Sequence, residues 1–115
     1  MSRRVCHITI GTRIPVFVLT SEATISAAEA FAFIMQDLGR ASVIGGRTPG
    51  MANPSRTYSV GGALELTVPF PLTRYGKSRG TFAGVGVKPG IPVSSDKALD
   101  IALDEIGITL ESEEL

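Results

Sequence analysis

The chain has 115 residues, of which 43% are hydrophobic and 13 are glycine. This composition is typical of one small folded domain and excludes a disordered or fibrous protein. Eleven acidic residues balance 11 basic ones, with no run of Lys or Arg that would attract nucleic acid. No apolar run approaches the roughly 20 residues that cross a bilayer. We therefore expect one soluble domain spanning residues 1–115, with no nucleic-acid or membrane partner.

The first residues resemble an export signal only superficially. Arg3 and Arg4 precede Val5–Ile10, but this run is short, contains His7 and lacks a convincing cleavage site. It is β-prone and predicts a strand. The sole cysteine, Cys6, excludes a disulfide within one chain. The compartment is therefore open, and cytoplasmic if this chain is complete.

A strand and a helix follow in the first half of the chain. Pro15–Leu19 is a continuous apolar run and predicts a strand. From Ser26 onwards the apolar residues recur at helical spacing on an Ala-rich background, and they are Phe31, Ile34, Met35 and Leu38. Gly39 is expected to end this helix as its C′ residue. Ala41–Ile44 then predicts a second short strand.

The second half predicts a hairpin, a long loop and a closing helix. Thr57–Val60 and Leu64–Val68 flank Gly61 and Gly62, which accept the positive φ of a hairpin turn. The Gly-rich and Pro-rich segment from Pro69 to Pro92 predicts a functional loop or one packed on a partner. The last helix is expected to begin at Ser94 or Ser95 and end at Gly107, with an apolar stripe of Leu99, Ala102, Leu103 and Ile106. The order predicts an α/β fold with two main helices on a small mixed sheet.

Ser26 lies where the predicted strand, a polar turn and the first helix meet. A hydroxyl at a helix N-terminus lies beside unpaired amides, which could stabilise an oxyanion on a bound carbonyl. The simpler interpretation is a capping box, with Ser26 accepting from the N3 amide and Glu29 bonding back to the Ser26 amide. The local pattern alone favours the cap.

Several motifs, in order, resemble the S41 (C-terminal processing or tail-specific) serine peptidases. They are Pro15–Ser21, Thr24–Glu29, Gln36–Ala41, Val43–Gly45, Gly84–Val93 and Asp96–Ala102. The resemblance covers about residues 15–106 and corresponds to the C-terminal part of the catalytic domain. It is nearest to the branch that contains the tricorn core protease and the interphotoreceptor retinoid-binding protein. It implies a partial fold similar to the Clp protease and crotonase, and peptide-bond hydrolysis.

The resemblance assigns a nucleophile but no complete catalytic set. Ser26 matches the family nucleophile. Met51 occupies the position of the lysine base found in one branch, and Ala83 occupies that of a glutamate found in another. His7 matches no family histidine and is expected to be an ordinary strand residue. We expect no cofactor and no metal site, because one His, one Cys and scattered carboxylates offer no ligand cluster.

Three functions remain open at this point. The first is a peptidase-like domain that binds peptides or protein C-termini but is inactive as this isolated chain, needing a partner or an upstream half for base and oxyanion donor. The second is a non-catalytic module that binds an apolar ligand, such as a retinoid or fatty acid, or an extended peptide. The third is a structural remnant whose exposed apolar surface is covered by homo-oligomerisation.

Overall fold

A computed structural model describes residues 14–70 and 73–108, which form two helices, five strands and one 3₁₀ turn. The strands are β1 (Phe17–Thr20), β2 (Ser42–Gly45), β3 (Ser55–Val60), β4 (Leu64–Pro69) and β5 (Ile91–Pro92). The helices are α1 (Ala27–Asp37) and α2 (Ala98–Glu105), the latter preceded by the 3₁₀ turn Ser95–Lys97. The predicted α/β class is confirmed.

The strands form two separate sheets. One is a three-stranded parallel sheet in the order β1-β2-β5, with Phe17 opposite Ser42 and Ile44 opposite Ile91. The other is the antiparallel pair β3-β4. Parallel and antiparallel pairing are thus both present, but in different sheets. Helix α1 connects β1 to β2, as the crossover between parallel strands requires, and this carries the chain back to begin β2 beside β1.

Two small apolar clusters hold the parallel sheet and its helices together. In the first, Ala32 of α1 packs with Ala52, Phe82 and Val87, all buried. In the second, Ile44 of β2 packs with Ala98 and Ala102 of α2. Alanine at the helix contacts lets each helix backbone approach closely, so a short chain can bury β2 and the 82–87 segment with few large side chains.

Helix α1 ends as predicted but buries a different face. The Gly39 amide donates to Gln36 O and the Arg40 amide to Met35 O, each at 2.9 Å, with Gly39 at φ 63°. This is a Schellman ending. The predicted apolar stripe is wrong at both ends, because Phe31 is 56% and Leu38 54% exposed. The fully buried positions are Glu29 and Ala32, so a carboxylate occupies the centre of the packed face.

Helix α2 also buries a face shifted from the predicted one. Ala98 and Ala102 are buried and Ile101 packs beside them, whereas Leu99 and Ile106 are nearly half exposed. The α-helix begins only at Ala98 because Ser95–Lys97 forms a 3₁₀ turn, with Ser94 at its N-cap position. Its end is as predicted, with Gly107 at φ 74°. Small residues, and not the longest apolar ones, therefore form this contact.

The predicted hairpin is confirmed, with a turn of three residues because Val60 pairs directly with Leu64. Gly61 and Gly62 have φ of 63° and 77°, as expected for such a turn. Every residue of both strands is exposed. One face carries Tyr58 opposite Leu66 and Val60 opposite Leu64, with Val68 beyond them, and is therefore apolar. Among the described residues, no other strand or helix makes an extensive contact with the hairpin.

The segment expected to be a long loop contributes to the core. Phe82 is 1% exposed and lies 5.6 Å from the Phe33 ring and 5.1 Å from the Tyr75 ring, centroid to centroid. The segment also ends in β5, which the two-residue apolar signal at Ile91 was too short to predict. Residues 75–87 thus contact α1 of the same chain, and the two expected roles, a functional loop or a segment packed on a partner, stay predictions.

Other sequence expectations concern residues outside the described ranges. These are the Val5–Ile10 strand, the interpretations of Cys6 and His7, and a frayed acidic tail at Glu111–Glu114. Within residues 14–70 and 73–108, no helix has both the length and the apolar character to span a bilayer.

Candidate functional site

The turn that leads to Ser26 is fixed by its own hydrogen bonds. The Ser21 amide donates to Thr24 Oγ1 at 3.0 Å, and the Thr24 amide donates to Ser21 O at 3.1 Å. At the start of the turn, Thr20 Oγ1 donates to Gly46 O and the Gly46 amide donates to Thr20 O, both at 2.9 Å. Residues 20–26, here called the elbow, are therefore anchored to the ends of β1 and β2.

Ser26 itself has an unusual backbone conformation. Its φ is 54° and its ψ −117°, which lies outside the left-handed helical region and is costly for a residue with a Cβ atom. Such conformations persist only where the surroundings enforce them. A serine on a strained turn from strand to helix, with its side chain exposed, is the backbone arrangement of a nucleophile elbow.

The capping-box interpretation of Ser26 holds in the structure. Ser26 and Glu29 occupy the two capping-box positions, and the Ser26 amide donates to Glu29 Oε2 at 2.9 Å. The Ser26 side chain faces the Glu29 backbone amide as the other half of the box. The box accounts for the start of α1 but not for the strained backbone of Ser26.

Glu29 is completely buried and accepts hydrogen bonds from a second segment. The Gly50 amide donates to its Oε1 at 2.6 Å, and the Met51 amide donates to its Oε2 at 2.8 Å. The Thr48 hydroxyl lies beside the carboxylate as a further donor. Residues 48–51, here called the 48–51 loop, thus wrap around a carboxylate from α1.

The protonation of Glu29 reflects two opposing effects. Burial raises its pKa, because a low-dielectric environment disfavours the charged carboxylate. Hydrogen bonds from Thr48 and from the amides of Gly50, Met51 and Ser26 lower it, and together they outweigh burial. The pKa of Glu29 therefore lies below its ordinary value of 4.5. The carboxylate is charged at neutral pH without any ion pair among the described residues, and its charge is balanced by dipoles alone.

The 48–51 loop packs against residues 82–87, here called the 82–87 turn. The two segments are so close that Gly50 and Gly86 have no room for a side chain. A Cβ on Gly86 would lie 1.8 Å from Thr48 O, and one on Gly50 would lie 2.7 Å from the Gly86 amide nitrogen. Three bonds join the segments: from the Gly84 amide to Gly50 O at 2.9 Å, from the Val87 amide to Thr48 Oγ1 at 2.7 Å, and from the Thr48 amide to Val87 O at 3.3 Å. Close backbone contact therefore fixes where the loop stands beside α1.

The structure brings together two of the positions that the resemblance singled out. The amides of Ser26 and Met51 share one acceptor, Glu29 Oε2, so positions 26 and 51 are neighbours. The Met51 side chain is 55% exposed. Ala83 lies on the 82–87 turn, half-buried against the first apolar cluster. The position that carries lysine in one branch of the resemblance is thus beside Ser26, and here it carries a thioether that cannot accept a proton.

The segment from β1 through the elbow to α1 resembles the strand–turn–helix units that carry a serine in several hydrolase folds. The chain belongs to peptidase family S41, because the model of that family matches residues 4–93. The predicted family membership is confirmed. The narrower resemblance to the tricorn and retinoid-binding branch remains a prediction, as does the Clp-like or crotonase-like fold.

Sequence reasoning recognised Ser26 and missed what surrounds it. Glu29 was interpreted only as a cap partner, and its bonds to Gly50 and Met51 span more than twenty positions of sequence. Thr48 carried no local signal beyond a loop-forming context, and Gly86 was noted only as part of the Gly84–Val93 motif. An acidic residue on the apolar side of a helix, three positions after a helix-starting serine, was the one available sign of a buried carboxylate.

Proposed function

We propose that this chain is a serine-peptidase-like domain in which Ser26 is the nucleophile toward a peptide carbonyl. The single observation that carries this proposal is the strained φ and ψ of Ser26 at the start of α1, with its side chain exposed. The Ala27 amide, first in the helix, has no intrahelical acceptor. In nucleophile elbows the amide of the residue that follows the serine is an oxyanion donor, and Ala27 is that residue here.

We further propose that the chain requires a base that its described residues do not place at Ser26. A serine hydroxyl is a weak nucleophile until a neighbouring base removes its proton. Position 51 is next to Ser26 and carries methionine, while Glu29 is buried with a lowered pKa and already accepts several hydrogen bonds. The isolated chain is therefore expected to leave peptides uncleaved. Protein C-termini are the substrates that the family resemblance favours.

Installing a base at position 51 tests this proposal. We expect no hydrolysis of a fluorogenic peptide by the wild-type chain. Met51→Lys should gain turnover that increases as the pH rises and the amine deprotonates. Met51→Lys combined with Ser26→Ala should return to background. If Met51→Lys stays inactive and a fluorophosphonate does not label Ser26 in either protein, Ser26 is not a nucleophile.

A second candidate, a binding role, is favoured by the apolar surface beside Ser26. Ile25 is 48% exposed, Met51 55% and Val85 56%, and Val85 adjoins Gly50 across the contact between loop and turn. These side chains suit an apolar ligand or an extended peptide. Mass spectrometry of an organic extract of the purified chain would reveal a bound lipid or retinoid, and its presence would favour this role over catalysis.

We also propose that the apolar face of the hairpin is covered in the working protein, by a second copy or by a further part of the same protein. Isolated two-stranded hairpins are marginal in water, and the apolar residues Tyr58, Leu64 and Leu66 are all about half exposed or more. Light scattering should show an oligomer that dissociates in Leu66→Ser. A clean monomer that binds little of an apolar dye would contradict self-association.

A further inference from the structure

Glu29 connects the two parts of the candidate site through a single atom. Its Oε2 accepts from the Ser26 amide at 2.9 Å and from the Met51 amide at 2.8 Å, while Oε1 accepts from the Gly50 amide at 2.6 Å. We propose that Glu29 is a positioning residue that holds Ser26 in its strained conformation and fixes it to the 48–51 loop, and that it does so only while ionised. This inference rests on the proposed function of Ser26.

The burial of Glu29 exceeds what a helix cap requires. A capping-box glutamate needs one bond to the N-cap amide and is ordinarily at the surface. Glu29 is 0% exposed, and two of its partners belong to a segment more than twenty residues away. Burying a carboxylate is unfavourable unless its oxygens are satisfied. The chain maintains this arrangement at the point where Ser26 and position 51 meet, which indicates a role beyond ending α1.

Glu29 must oppose the relaxation of the strained Ser26 backbone. A non-glycine residue at φ 54° and ψ −117° relaxes unless several contacts define it. The Ser26 amide bond to Glu29 is one such contact. The carboxylate can resist that relaxation because the Gly50 and Met51 amides hold it from the other side, and they in turn are held by the close packing of Gly50 and Gly86.

Ionisation is required because all of these partners are donors. The groups that face Glu29 are the Ser26 amide at the start of α1, and the Thr48 hydroxyl and two amides of the 48–51 loop, while no charged side chain of the described ranges contributes. A protonated carboxyl would place its own O–H against an amide N–H and lose an acceptor site. The elbow and the loop should therefore separate as Glu29 takes up a proton.

Amide resonances of the ¹⁵N-labelled full chain test the positioning role directly. On lowering the pH, the Ser26, Gly50 and Met51 amides should shift together with one midpoint below 4.5, the ordinary value for this group. Glu29→Gln should abolish that common titration, and Glu65→Gln on the exposed hairpin should leave it intact. Three unrelated midpoints, or a common titration that survives Glu29→Gln, would overturn the proposal. The wild-type titration decides even if Glu29→Gln does not fold.

Fluorophosphonate labelling of Ser26 separates this inference from the proposed function. In folded protein at neutral pH, Glu29→Gln should lower the labelling rate at least about tenfold, as loss of a positioning contact can, and Glu65→Gln should not change it. Labelling of Ser26 at an equal rate in wild type and Glu29→Gln would sink the positioning role and leave the nucleophile standing. If Ser26 is not labelled but the three amides titrate together, the proposed nucleophile role of Ser26 is wrong, and Glu29 is still the link between the elbow and the 48–51 loop.

Discussion

The elbow contains a strained serine, and the turn of the hairpin contains two glycines with positive φ. The two regions are nevertheless stabilised in opposite ways. At the elbow, the buried Glu29 carboxylate and the contact between Gly50 and Gly86 satisfy amides within the chain itself. In the hairpin, all residues of β3 and β4 are exposed and their apolar face is uncovered in the described structure. The buried polar groups beside the elbow form their hydrogen bonds within the chain, whereas the hairpin presents a surface suited to a partner.

The distribution of buried residues agrees with this contrast. The buried apolar residues are Val43 of β2 and the members of two small clusters around α1, α2 and β2, and none belongs to the hairpin. Substitutions at matched positions in the two regions should therefore differ sharply in their effects.

The largest expected difference is between two glycines with similar φ. Gly86 has φ 78° and Gly62 has φ 77°, but a Cβ would meet Thr48 O at 1.8 Å in the first and nothing within 4 Å in the second. Gly62→Ala should cost about 1 kcal/mol from the left-handed conformation alone. Gly86→Ala should cost about 4 kcal/mol or more. Urea unfolding measures both, and equal losses would show that the loop and the turn are not in close contact.

The next difference is between two large apolar side chains. Phe82 is 1% exposed and contacts the Phe33 and Tyr75 rings, whereas Leu66 of the hairpin is 55% exposed. Phe82→Ala should lower the free energy of unfolding by about 3–5 kcal/mol. Leu66→Ala should lower it by less than about 1 kcal/mol in the monomer. A large loss for Leu66→Ala that depends on protein concentration would instead place the hairpin in an interface.

The pH dependence of stability should report the buried carboxylate of Glu29. Because the pKa of Glu29 is lowered on folding, the unfolded state binds its proton first. Its contribution is therefore fully present above about pH 4.5 and is lost as the pH falls through the folded value. The stability advantage of wild type over Glu29→Gln should shrink on acidification, measured by thermal unfolding between pH 6 and pH 3. An advantage that stays constant over this range would contradict a lowered pKa.

The smallest expected effect concerns the strain at Ser26. Glycine adopts positive φ without the Cβ penalty, so Ser26→Gly should be more stable than wild type by about 1 kcal/mol, although the candidate hydroxyl is lost. Ser26→Ala retains the Cβ and with it the backbone strain, so it should not share that gain in stability. An ordinary capping serine would give the opposite sign, with Ser26→Gly slightly less stable than wild type. Chemical denaturation of the three proteins distinguishes these outcomes.

The sequence by itself determined the order of β1 to β4 and the two helices, the hairpin, the glycine that ends α1 and the family, because these depend on local periodicity, turn residues and ordered motifs. It also located Ser26. It did not determine which helix faces are buried, since Ala98 packs beside the expected Ala102 while Leu99 and Ile106 are nearly half exposed. Close backbone approach selected small residues over apolar ones, and such a choice depends on what each helix packs against.

Only the tertiary structure decided the surroundings of Ser26. The bonds from Gly50 and Met51 to Glu29, and the contact of Gly86 with Thr48, join segments that are far apart in sequence and have no shared periodicity. A capping box predicts that Glu29 bonds to the Ser26 amide, but not that a distant loop closes over the same carboxylate. Local rules fixed the serine at the start of its helix, and long-range backbone packing determined the conformation in which it is held.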